Sequence, residues 1–327
     1  MTLTKAELKT LLAVDEPTTL KELSRRIGLS KGRLSTLLCS LEKKGLVELE
    51  GKKPVVVRPA RNKAIELLNA IFPTTVRPLI LNPSPLRGRD IIGVLTGNSL
   101  KVLAALEVEK PQPLWLIQMK ANVSRATLHR VLNRLMEGLI VGKKKEGYFI
   151  SERFSLFKTF ADEYFYLQNS IKAREFDPNA SVVWSGVEEF ILATGTFRGK
   201  SVDDFQLTGL ARFSDFGLPL ISAGVYHYYW PAKSLALEEV VVHALTLGRD
   251  ARELLYTVVL LKAKGFEESR LRKLAAKFGV SDTVEEVLEY LHGEDKPYPF
   301  PSREEVEELC RQYFGGCDDD NEGKANP

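Results

Sequence analysis

The chain has 327 residues, 44% of them hydrophobic and 27% charged, with a net charge of +3. That balance suits a globular protein with room for two or three cores. It excludes a bilayer-spanning protein, since no apolar run approaches the needed length. Residues 1–5 lead straight into a capped amphipathic helix, so no signal peptide and a cytoplasmic location are expected. Cys39, Cys310 and Cys317 are too few for a disulfide scaffold or for four-ligand structural zinc. Scarce Cys and Met with abundant Lys and Glu is a pattern found in thermophiles. The small net charge hides a division: residues 1–153 hold 27 Lys and Arg against 14 Asp and Glu, a net of +13, and residues 154–327 carry −10. A basic half is the footprint of a nucleic-acid binder; an acidic half suits assembly, sensing or a basic partner.

In chain order, Leu8, Leu11 and Leu12 share one face of a first helix. Pro17 ends it by pushing its predecessor out of the helical region. Thr18 or Thr19 caps a second helix, with Glu22 placed as the capping-box acid for Thr19. Leu20, Leu23 and Ile27 follow helical spacing, and Gly28 closes the helix. Ser30 caps a third helix whose core face is Leu34, Leu37, Leu38 and Leu41. That leaves Lys31, Arg33, Ser35, Thr36 and Ser40 facing out, and Gly45 ends the helix. Strands over 46–49 and 54–57 flank a wing tip carrying Lys52 and Lys53. These are the parts of a winged helix-turn-helix, whose third helix enters the major groove.

After a helix over 60–72 and a segment rich in proline (Pro73, Pro78, Pro83, Pro85), the same pattern returns 94 residues on. Leu8, Leu12, Leu20, Leu23 and Leu29 map onto Val102, Leu106, Leu114, Ile117 and Val123. Ser124 caps the second candidate recognition helix, with Leu128, Val131, Leu132 and Leu135 inward. Arg125, Thr127, His129, Arg130 and Arg134 are candidates for DNA contact. Gly138 ends this helix one residue earlier than the offset would place it. The second wing is a basic turn over 142–147, holding Lys143, Lys144 and Lys145, where phosphate contacts supply affinity without sequence information.

The remainder reads as an aromatic helix over 153–176, serving as a core or dimer face, and then an α/β stretch. Strands are expected at 181–184 and 225–230, a strand or short helix at 187–192, and a helix over 207–217 capped by Thr208. Five more helices follow, at about 235–247, 250–264, 268–278, 282–292 and 302–314, before an acidic, disordered tail from Cys317. Phosphate-loop, zinc-protease and nucleophile-elbow motifs are absent. His227 and His243 read as structural, and Tyr226, Tyr228, Tyr229 and Trp230 as core, with a small-molecule pocket as the alternative since aromatics supply stacking surface. No catalytic residue, metal or cofactor is expected.

Gln206-Leu207-Thr208-Gly209-Leu210-Ala211-Arg212-Phe213-Ser214-Asp215-Phe216-Gly217-Leu218-Pro219, then Tyr228-Tyr229-Trp230, then Leu237 to Leu245, resembles the C-terminal domain of AbiEi-type winged-helix regulators and antitoxins. The resemblance spans roughly residues 180–290. It implies promoter binding by the winged helix and, in some members, neutralisation of a nucleotidyltransferase toxin. The chain departs from that plan by its second winged helix.

The expectation is therefore an α+β, mostly helical chain with two tandem winged helix-turn-helix domains and a C-terminal α/β domain with a helical end. Its boundaries are 1–59 and 97–152 for the winged helices, 60–96 for a helix and linker, 153–180 for the aromatic helix, 181–316 for the C-terminal domain and 317–327 for the tail. The expected function is a non-enzymatic, sequence-specific transcriptional regulator. Its partner is double-stranded DNA, with a homodimer left open, and the alternative is an antitoxin whose C-terminal domain binds a toxin.

Overall fold

The computed structural model describes residues 2–51, 54–77, 91–220, 224–248 and 250–317. Lys52 and Lys53, the prolines at 78, 83 and 85, and the tail beyond Cys317 lie outside these residues. The chain divides into two compact units, residues 1–175 with 185–188, and 176–184 with 189–327.

The first unit opens with α1 (Lys5–Leu12), β1 (Thr18–Thr19), α2 (Leu20–Ile27), α3 (Lys31–Lys43), β2 (Val47–Glu50) and β3 (Val56–Pro59). The caps are those that local sequence dictates. Thr4 with Glu7, and Thr19 with Glu22, form capping boxes, and Ser30 accepts from the Arg33 N–H. Of the two candidate threonines, Thr19 is the cap. The strands order as β1-β3-β2, with β1 and β2 both antiparallel to β3. Leu8, Leu23, Leu34 and Leu41 are fully buried beneath this sheet and helix set. The first head is a winged helix. Asn62 caps α4 (Lys63–Ile71), which follows the hairpin.

After α5 (Ile91–Val94) come α6 (Gly97–Ala105), α7 (Leu114–Ala121), α8 (Arg125–Glu137), β4 (Val141–Lys144) and β5 (Gly147–Ile150). From α7 to β4 every boundary lies 94 residues beyond its counterpart. The hairpin turn is then three residues shorter, since β3 starts at Val56 and β5 at Gly147. The bridge Gln112↔Tyr148 stands where Thr18↔Val57 stands in the first copy. Here the backbones come so close that a Cβ on Gly147 would lie 2.0 Å from the Gln112 carbonyl oxygen. The second wing departs from expectation: Lys143 and Lys144 belong to β4, and the two-residue turn is Lys145-Glu146.

The end of α8 also corrects the sequence reading. Gly138 is right-handed, and the left-handed position is Leu139, at φ 57°, the counterpart of Gly45 at φ 67°. The hydrogen bonds correspond too: Gly45 and Leu139 donate to Glu42 and Met136 at 2.8 Å, and Leu46 and Ile140 to Leu41 and Leu135 at 2.9 and 3.0 Å. The reversal is fixed by chain geometry, so the repeat keeps its frame although the glycine has moved. A left-handed leucine carries about 1–2 kcal/mol of strain, against about 0.5–1 kcal/mol of extra unfolded-state entropy for glycine. Leu139→Gly should therefore stabilise the unit by about 0.5–1 kcal/mol. Chemical denaturation checks this; a lowered midpoint would mean that the Leu139 side chain, 55% exposed, packs well enough to outweigh its backbone strain.

The two copies share one hydrophobic core, with Leu3, Val94, Leu95 and Leu106 among its members. The Gly97 N–H donates to the Leu3 carbonyl at 2.8 Å. Helix α9 (Ser155–Phe176) lays Phe160, Ala161, Tyr164 and Phe165 into the same core. Its aromatic stripe is thus core, the first of the two readings open to it.

In the second unit, which holds β6 (Ser181–Gly186) as far as Trp184, the strands β6, β7 (Glu189–Thr194), β8 (Gln206–Thr208) and β9 (Tyr226–Trp230) form a sheet of order β6-β7-β9-β8. Residues 189–194 are therefore strand rather than helix. Helices α10 (Leu237–Leu247), α11 (Ala251–Lys264), α12 (Glu268–Phe278), α13 (Ser281–Leu291) and α14 (Arg303–Phe314) complete the core. Tyr228 and Tyr229 are buried, and the Tyr229 hydroxyl donates to the Glu189 carboxylate, which Lys277 meets at 2.7 Å. His243 is buried against Thr208, Oγ1 to Nδ1 2.7 Å, and burial beside Lys233 and Lys277 pushes its pKa down to about 3. Because Thr208 is engaged there, it caps nothing, and Gly209–Phe216 is a 3-10 helix instead of the expected α-helix. The cysteine expectation is also corrected: Cys310 and Cys317 form a disulfide. Gly315 and Gly316, both at positive φ, reverse the chain after α14 and bring the two Cα atoms to 5.4 Å, within disulfide range. Among the described residues, no helix is long and apolar enough to cross a membrane, and no cluster of His, Cys, Asp and Glu could hold a metal.

Candidate nucleic-acid interface

The third helix of each copy is placed by two local devices. A serine cap fixes its start: Ser30 accepts from the Arg33 N–H at 3.4 Å, and Ser124 from the Thr127 N–H at 3.3 Å. A leucine-rich stripe fixes its rotation, with Leu34, Leu38 and Leu41 buried in α3 and Leu128, Val131, Leu132 and Leu135 in α8. Helical periodicity then leaves Lys31, Arg33, Ser35 and Thr36 exposed on α3, and Arg125, His129 and Arg130 exposed on α8. Arg33 corresponds to Thr127 and Arg130 to Thr36, so these two arginines stand one turn apart on the corresponding helices, while Arg125 corresponds to Lys31.

Two hydroxyls are occupied locally. Thr36 donates to the Gly32 carbonyl at 3.2 Å, and half-buried Thr127 accepts from the Ser124 hydroxyl at 2.9 Å. Ser40 is a correction, because it does not face outward. Its hydroxyl donates to Glu7 Oε1 at 2.6 Å, next to the buried pair of Lys44 Nζ and Glu7 Oε1 at 2.5 Å. Arg134 occupies the equivalent position of α8 and is exposed as expected, but its guanidinium is engaged, donating to the Ser99 hydroxyl and, at 3.3 Å, to the Gly93 carbonyl. In both copies this position faces the helix that opens the head.

Lys143, Lys144 and Lys145 are all exposed on the second wing. Lys143 lies over the Tyr148 ring at 5.3 Å and Lys144 over the Phe149 ring at 4.6 Å, so two of the three ammonium groups are held by cation–π contacts. The first wing's Lys52 and Lys53 lie outside the described residues. Sequence reasoning passed over Lys9, Arg26 and Arg77, which join Arg33 along a cleft of about 790 Å³. No periodicity could have flagged them, because they come from three separate segments.

Residues 2–63 match the family model described as sugar-specific transcriptional regulator TrmB, a stretch that takes in the whole first head. Residues 202–314 match a second model, described as HVO_2833_C, C-terminal; it takes in Gln206 to Leu245, so the stretch expected to be of AbiEi type matches a different family model. No curated protein and no solved structure matches the chain. The chain thus carries a TrmB-type winged-helix domain of DNA-binding transcriptional regulators at its N-terminus, followed by a separately matched C-terminal domain.

Proposed function

We propose that this protein is a sequence-specific transcriptional regulator that grips double-stranded DNA with both heads, as tandem winged helices. The carrying observation is the correspondence of α3 and α8: both are serine-capped, both start and end in one frame 94 residues apart, and both expose basic residues over a leucine face. In this reading Arg33 and Arg130 approach base edges, while Lys31, Arg125 and the second wing meet phosphate. The acidic half, net −10, favours a basic protein partner as a second role, which is what an antitoxin would need. A nucleotidyltransferase encoded next door would favour that role.

The test is salt-dependent duplex binding by the full chain. Replacing Lys143, Lys144 and Lys145 together by Ala should weaken binding to all duplexes alike. The slope of log affinity against log salt should fall by about 0.9 for each phosphate that the wing no longer neutralises. An unchanged slope would remove the second wing from the interface.

A further inference from the structure

The cleft that sequence reasoning passed over is lined by Lys5, Lys9, Arg26, Arg33 and Arg77, with Asp15 as its carboxylate. Asp15 is already engaged by Arg26 at 2.5 Å. Arg77 is only 6% exposed, and both of its hydrogen bonds go to neutral acceptors, the Phe72 carbonyl and the Asn69 side-chain oxygen. Buried arginines are normally paired with an anion, and a guanidinium stays charged at neutral pH despite its burial. Lys9 and Arg33 are exposed, and no ion pair engages either among the described residues. Asp15 is the carboxylate nearest to hand for Arg77 as well, so Lys5, Lys9, Arg26, Arg33 and Arg77 share this one carboxylate among the described residues of a concavity whose volume suits a small molecule.

We propose that this cleft binds a phosphate group, with the Arg77 guanidinium as its buried anchor and Lys9 closing over it. Arginine forks match phosphate oxygens bidentately, and a dianion balances more of the cleft than a single carboxylate could. The phosphate has two sources, a phosphorylated small molecule or the DNA backbone. In the first case the occupied cleft would be lined by Arg33, a residue of the candidate DNA face, and ligand and DNA would then change each other's affinity by the same factor.

The experiment titrates inorganic phosphate and pyrophosphate into the full chain by calorimetry, with ionic strength held constant by chloride. Lys9→Gln and Arg77→Gln are compared with the parent, and the exposed Lys9 guards against loss of folding in the Arg77 variant. Saturable pyrophosphate binding that falls about tenfold in both variants, with random-sequence duplex binding unchanged, assigns the site to a small molecule. Duplex affinity that falls in both variants, with the salt slope reduced by about one, assigns it to the DNA backbone. If neither pyrophosphate nor duplex binding responds to either variant, the cleft holds no phosphate and the proposal is overturned.

Discussion

Lys44→Met is expected to destabilise the first unit by about 3–5 kcal/mol at neutral pH, because it leaves the Glu7 carboxylate buried without its cation. In the parent, burial pushes the Glu7 pKa up, but hydrogen bonds from Lys44, Ser40 and the Thr4 N–H together hold it below its ordinary value of 4.5. A carboxyl depressed by folding contributes stability above its unfolded pKa and loses it as pH falls through the folded value. The parent should therefore lose this contribution on acidification below about 4.5. The variant should do the opposite, since with Lys44 gone burial dominates and protonation relieves the stranded charge. The two stabilities should converge in acid, as read from urea midpoints across pH. Adding Glu7→Gln to Lys44→Met should recover much of the loss. A gap independent of pH would mean that the loss is one of packing rather than charge.

Arg33→Ala and Arg130→Ala are each expected to cost about 1–3 kcal/mol of discrimination between the preferred operator and random duplex, or about 5- to 150-fold in the affinity ratio. The two arginines sit one turn apart on corresponding helices, so each loss should relax preference at different base positions. Competition binding with base-substituted operators measures this. A variant that loses affinity equally for operator and random DNA would reassign its arginine to a phosphate. Arg134→Ala gives the contrast, because its guanidinium lies against Ser99 and Gly93. It should lower thermal stability rather than alter base preference.

The first head, the doubled pattern and the serine caps were legible in the sequence because they obey rules acting within a few residues. A cap and its acceptor N–H are three positions apart, and a leucine stripe repeats with the helical turn. Those rules specified which residues α3 and α8 bury, and hence which basic residues remain outside. They could not specify neighbours from elsewhere in the chain. Ser40 and Arg134 have the outward spacing of a groove-facing residue, yet both meet the helix that opens their head, a packing decision made across more than thirty residues. Leu139 took the left-handed position that Gly138 was expected to prepare, because the hairpin beyond it fixed where the chain must reverse. Thr208 caps no helix because His243 claims its hydroxyl from 35 residues away. The cleft around Arg77 likewise exists only once α1, α2 and α3 are packed with the turn that follows α4. Local spacing determined the elements and their caps, and tertiary packing decided which charged and hydroxyl groups those elements leave available.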